Sequence, residues 1–247
     1  MKDDYLTDEE YRRDFHLTPE EGRTLWRGVF GRVGYVLGPD GENGSGVFVK
    51  TRTGRRVLLT CAHVVQPVIN KGGVWIGGYN YDATVPGSMR SRRVAVCKPA
   101  HEFFLSTTCD VALAYAPDDL LIREFLEPAA WDPRATVDPS SLSLVIAAGQ
   151  PADPNWKTKP RVEEKIIDEM KTLLMWTTST MIVPDAGLIE LLALRTAGVM
   201  PASYEGMSGG PLFSTRGQLL GILTEESEPD HPGRIYAIER SQWLDIY

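Results

Sequence analysis

Residues 44–65 read GSGVFVKTRTGRRVLLTCAHVV. Two short runs of branched and aromatic residues flank a polar turn at Thr53-Gly54, which is the pattern of paired strands rather than of a helix. The same pattern spreads outward in both directions. Upstream stands GVFGRVGYVLG (28–38), closed by the turn Gly38-Pro39-Asp40-Gly41. Downstream follow GVWIGGY (73–79), RRVAVCKP (92–99), DVALAYAP (110–117), SLSLVIAAG (141–149), GLIELLALRTAG (187–198), GPLFSTRGQLLGILTEE (210–226) and GRIYAIE (233–239). Many short strands at close spacing predict an all-β barrel or sandwich. Helices are expected only at the ends. One covers roughly 8–27, where Thr18-Pro19-Glu20-Glu21 supplies a cap, a proline at the first helical position and acids in the first turn. The other is a closing helix over Glu239–Tyr247 (ERSQWLDIY). Residues 161–175 mix charge and apolar side chains and fit a short helix or the start of a strand. The proline-rich stretch 130–141 (AWDPRATVDPSS) suits a bridge between two β halves.

Of the 247 residues, 43% are hydrophobic and 24% charged, enough for a sizeable core, and the net charge of −7 argues against a phosphate-backbone binder. The basic cluster 157–161 (KTKPR) reads as a solvated loop. No nucleic acid and no membrane partner is expected: no run of about eighteen apolar residues exists. The first residues, MKDDYLTDEEYRRDF, lack the pattern of a secretory signal. Three cysteines, Cys61, Cys97 and Cys109, cannot all pair, and none stands in a metal-ligand spacing. A cytoplasmic setting with no metal and no cofactor is the expectation.

Three segments pair a reactive side chain with a supporting context. Leu58–Val65 (LLTCAHVV) is an apolar strand ending in small residues and then His63, where a neutral imidazole can serve as a base near pH 7. Taken alone, His63 fits a structural histidine at a strand terminus better than a catalytic one. Asp110 opens the strand 110–117; a partly buried carboxylate needs a partner, and an imidazole N–H is one, although a turn cap is the plainer alternative. Glu205–Leu212 (EGMSGGPL) sets Ser208 among glycines, which let backbone approach a substrate and let two N–H groups, those of Gly206 and Ser208, face one oxygen.

In combination, TCAHVV, DVALA and GMSGGPL, in that order, resemble the trypsin/chymotrypsin serine peptidase superfamily, in its bacterial trypsin-like branch. The runs 44–49 (GSGVFV), 221–223 (GIL) and 232–238 (PGRIYAI) fit the same resemblance, which covers about residues 29–247. It implies two six-stranded Greek-key β-barrels, an N-terminal helical extension over 1–28, a first barrel over 29–130 and a second over 131–247 with the C-terminal helix. It implies peptide-bond hydrolysis through an acyl-enzyme, with Ser208 as nucleophile, His63 as general base and acid, Asp110 as its orienter, and the Gly206 and Ser208 amides as the oxyanion hole. A protein or peptide is then the substrate.

The sequence departs from that pattern in places. Met207 stands where zymogen-activated relatives carry an aspartate, so the oxyanion turn is expected to form constitutively or with a partner, and the N-terminal extension is a candidate for contacting a regulatory protein. Val64 stands where many secreted relatives have a disulfide cysteine. By the resemblance, Ala202, Ser203, Thr224, Glu225 and Glu226 line the primary pocket. Glu225, Glu226, Glu228 and Asp230 crowd there and favour a cationic side chain before the cut, unless they are solvated loop acids. Two other readings compete. Gly206–Gly210 also fits the G-x-S-x-G elbow of α/β hydrolases, but only His231 follows the serine, and the chain beyond it is strand-like. The second is a non-catalytic or partner-gated binding module on the same barrels.

Overall fold

Every residue of the first strand is buried, and the interior of the second is buried from end to end, so both faces of this sheet must be covered. The computed structural model describes residues 18–38, 43–69, 74–82, 92–122, 124–135, 145–150, 173–183, 187–197, 205–226 and 234–247. Its N-terminal half contains α1 (Pro19–Arg32), β1 (Val33–Leu37), β2 (Asn43–Lys50), β3 (Arg56–Thr60), α2 (Ala62–Ile69), β4 (Val74–Asp82), β5 (Arg92–Ala100), β6 (Phe103–Leu105), β7 (Ala112–Tyr115) and α3 (Pro128–Trp131). The strands form one antiparallel sheet in the order β5-β4-β1-β2-β3-β7-β6. The opening sequence is the hairpin β2–β3, with Val47 opposite Leu59 and Lys50 opposite Arg56. Gly54 turns it at φ +81°, a left-handed conformation that glycine adopts without a Cβ clash. The C-terminal half contains β8 (Val145–Gly149), β9 (Leu173–Val183), β10 (Leu188–Ala197), β11 (Pro211–Ser214), β12 (Leu219–Glu226) and β13 (Arg234–Glu239). These close into a barrel in the order β10-β13-β12-β11-β8-β9.

The strand period of two sorts the apolar residues into separate cores. Val36, Phe48 and Leu58 pack inside the first sheet with Val74, Ile76, Ala112 and Ala114. Their sequence neighbours Tyr35, Val47, Val49, Val57 and Leu59 face the other way and join Ile146, Ala148, Phe213, Leu219 and Ile222 of the second half. A third cluster, including Val145, Leu191, Leu212 and Leu223, fills the closed barrel. The unbroken apolar runs thus reflect one sheet serving an interior and an interface together. This is a mostly β, chymotrypsin-like double-barrel architecture.

The details differ from expectation in four places. Helices are expected only at the ends, yet α2 and α3 lie inside the chain, between β3 and β4 and between β7 and β8. The first half has seven strands rather than six, the added one being the three-residue β6 paired to β7. The N-terminal helix is capped at Thr18 by a reciprocal Thr18–Glu21 box and continues to Arg32, where it runs directly into β1. The closing segment makes a single 3-10 turn, Arg240–Gln242, in place of a longer helix. Tertiary anchors account for this. Trp243 is fully buried, Arg240 reaches the carbonyls of Leu219 and Ala135, and Asp245 is held by the 106–108 turn. Residues 151–172, which include the basic cluster and most of the ambiguous stretch, lie outside the described residues; β9 takes up that stretch from Leu173.

Candidate active site

β3 ends at Thr60, and the chain turns at buried Cys61 into α2, which places His63 in the first helical turn with half of its side chain exposed. From the other side of β3, the strand β7 is preceded by Asp110. The Asp110 carboxylate accepts from both N–H groups that His63 turns toward it. Oδ1 takes the backbone amide at 2.8 Å, and Oδ2 meets ring Nδ1 at 2.5 Å. The Asp110 carbonyl also accepts from Ala62 N at 3.3 Å. Burial pushes the Asp110 carboxyl up, but the hydrogen bonds from the His63 ring and amide outweigh it and hold it below the ordinary 3.8. Asp110 is therefore ionised at neutral pH and fixes the Nδ1–H tautomer, leaving Nε2 as the ring's lone-pair nitrogen.

The second half reaches this pair through Thr224 on β12. Its hydroxyl donates to Asp110 Oδ2 at 3.3 Å, and its carbonyl accepts from Ser208 Oγ at 3.0 Å. One residue thus ties the serine to the carboxylate across two halves of the fold. The serine turn is pinned at several points. Gly206 and Gly209 both sit at φ +86°. Gly209 N donates to Leu223 O at 2.7 Å, and Leu223 N to Gly210 O at 2.7 Å. A Cβ on Gly209 would run into Ser45 O and Thr60 Oγ1, so the two halves meet here backbone to backbone. Among the described residues, the amides of Gly206 and Ser208 meet no acceptor. Met207 is buried in the core of the closed barrel beside Gly149, so an apolar anchor occupies the position just before Ser208.

Cys61 Sγ, His63 and Asp110 bring ligand-type atoms within 4.8 Å of one another. These donors are committed elsewhere: burial pushes the Cys61 thiol well up, the thiol donates to Leu223 O at 3.2 Å, and His63 and Asp110 hold each other. Cys61 and Cys109 are both free thiols.

His63, Asp110, Ser208 and Gly206 thus lie in one cluster. Thr224 is there too, with its hydroxyl on Asp110. Ala202 and Ser203 lie outside the described residues; Glu225 and Glu226 lie in β12, with side chains outside the described set. Ser45, at the centre of the Gly44-Ser45-Gly46 run, belongs to the cluster unannounced by sequence. Its one signal was a polar residue between two glycines inside an apolar strand.

Residues 44–222 match the trypsin-like peptidase domain family, well over half of the chain. The chain belongs to that family. This trypsin-like serine peptidase is a serine endopeptidase, with proteins or peptides as substrates. No curated protein sequence matches it. Among solved structures, the peptidase is similar to Deg5, at 16% identity over 95% of this chain and 91% of that one, with a TM-score of 0.55. It is similar to the serine endoprotease from Yersinia pestis at 17% identity, covering 91% of this chain and 64% of that one, TM-score 0.54. The MamO protease domain from Magnetospirillum magneticum aligns at 18% identity over 87% and 94%, TM-score 0.52. At such identities these likenesses speak for the double-barrel fold alone.

Proposed function

We propose that this peptidase cleaves through an acyl-enzyme on Ser208, with His63 as general base and then acid, and Asp110 as the group that orients it. The observation that carries the reading is the shared Thr224 bridge: Asp110 grips both N–H groups of His63, and the same residue that donates to Asp110 accepts from Ser208. The serine hydroxyl swings from the Thr224 carbonyl to His63 Nε2, loses its proton there and attacks the scissile carbonyl. The amides of Gly206 and Ser208 take the developing oxyanion. The imidazolium, stabilised by Asp110, gives its proton to the leaving amine; water then repeats the cycle to release the acid.

The buried Met207 anchor supports an oxyanion turn formed without N-terminal cleavage. A preference for Arg or Lys before the cut rests on the acidic run Glu225, Glu226, Glu228 and Asp230. A cytoplasmic setting rests on the free thiols of Cys61 and Cys109. A regulatory partner acting on the N-terminal extension would have α1 as its lever, because Val29 of that helix is buried in the core shared by both halves.

The test is covalent labelling by a fluorophosphonate. The wild-type chain should be labelled once, on the peptide containing Ser208, and Ser208→Ala should lose both label and peptide cleavage. Undiminished labelling of Ser208→Ala, or a label on another residue, would refute the assignment.

A further inference from the structure

Ser45 lies on β2 in the first half, 161 residues from the glycine its side chain touches, and is fully buried. Its hydroxyl accepts from Gln150 N at 2.7 Å and donates to Gly206 O at 2.7 Å. Its amide donates to Ser208 O at 2.8 Å, and its own carbonyl accepts from Thr60 Oγ1 at 2.6 Å. Every polar atom of Ser45 is therefore used, and all four partners lie within the serine turn or the strands beside it.

We infer that Ser45 is a positioning residue for the oxyanion turn, acting through Gly206 and Ser208 and touching no substrate. The inference rests on the assignment of Ser208 and the two amides above. A serine hydroxyl has one proton. Because Gln150 N occupies an acceptor site on that oxygen, the proton has a single course, toward Gly206 O. The two carbonyls held by Ser45 belong to the two residues whose amides form the oxyanion hole. Gly206 O belongs to the 206–207 peptide and Ser208 O to the 208–209 peptide, so Ser45 fastens to β2 the planes that follow Gly206 and Ser208, and the two amides are held through them. Gly206 most needs this, since a glycine at φ +86° has no Cβ to restrict it. Removing the hydroxyl takes from Gly206 O the donor it has in Ser45, inside the protein. The turn then moves to recover a donor and carries the Gly206 amide off its aim. Ground-state binding does not use this amide fully; the transition state does. The loss must therefore appear in kcat and not in KM.

The decisive experiment compares full-length wild type, Ser45→Ala and Thr60→Val, with rates normalised to the sites that a fluorophosphonate titrates. Ser45→Ala should lower kcat about 10- to 100-fold, less than or near the loss of one oxyanion donor, with KM within about twofold. A peptide boronate, whose oxygen occupies the hole, should lose affinity by the same factor. The acid limb of the pH–rate profile should not move, because His63 and Asp110 are untouched. Thr60→Val loosens Ser45 without stranding Gly206 O and should show the same paired loss at roughly threefold to tenfold; it carries the test if Ser45→Ala does not fold. Unchanged kcat and boronate affinity in either folded variant overturns the inference. So does a fall in KM-dependent binding alone, or a shifted pH profile. A wild-type chain that is not labelled at Ser208 refutes the Ser208 assignment first, and the role of Ser45 falls with it.

Discussion

Gly209→Ala, set against Gly54→Ala, isolates the contact between the two halves. Both glycines have positive φ, +86° and +81°, so alanine at either costs about 1–2 kcal/mol of backbone strain. Their surroundings differ. Nothing lies within 4 Å of a Cβ on Gly54, whereas one on Gly209 would overlap Ser45 O and Thr60 Oγ1 and stand 3.0 Å from Cys61 N. Prying backbone from backbone there adds about 1–3 kcal/mol, for a total of about 2–5 kcal/mol. At about 2–4 °C per kcal/mol for a chain of this size, Tm should fall by roughly 4–20 °C for Gly209→Ala and roughly 2–8 °C for Gly54→Ala. The displaced backbone adjoins Ser208, and a shift near 1 Å costs on the order of 100-fold in rate. Thermal melts followed by circular dichroism, with kcat per titrated site, read both effects. Equal melts for the two variants, or wild-type kcat in Gly209→Ala, would refute the packing of Gly209 against β2 and β3.

Asp110→Asn should lower kcat by about ten-thousandfold, because the amide no longer holds the Nδ1–H tautomer of His63; steady-state kinetics on a peptide amide measures this. Its carboxyl is held below 3.8 in the folded state, so its stabilisation is complete above that pH and is lost as pH falls through the lowered value. Between pH 5 and 2, Tm should therefore fall more steeply with falling pH for wild type than for Asp110→Asn. Asp245 accepts from Ser106 Oγ at 2.9 Å and Thr107 N at 2.8 Å, tying the turn that leads into Asp110. Asp245→Ala should cost about 1–2 kcal/mol in urea unfolding. It should also lower kcat severalfold without raising KM, since only the aim of Asp110 changes.

The strands were legible because β-branched runs and glycine turns are local signals, and Val47–Val49 or Val57–Leu59 reads the same in any context. His63, Asp110 and Ser208 were legible for a related reason: each carries its own setting of small residues or glycines. What escaped depends on partners far along the chain. That the Thr224 hydroxyl meets Asp110 depends on a partner 114 residues away, which nothing near it in sequence shows. Ser45 looked like part of a strand motif, since its partners are Gln150, Gly206 and Ser208. ERSQWLDIY has helix-compatible composition, yet the burial of Trp243 and the pull of the 106–108 turn on Asp245 decide its path. β6 exists only because β7 offers it an edge.

The Thr224 bridge has a consequence for how such an enzyme is made. His63 and Asp110 leave the ribosome well before the strand that completes their surroundings, so a half-synthesised chain carries the proposed base and its orienter without the proposed nucleophile. Ser208, ahead of β11, and Thr224, on β12 between β11 and β13, both come from the second half, so the bridge closes only once that half is in place. Under the proposed roles, a chain without its second half has no hydroxyl for His63 to activate.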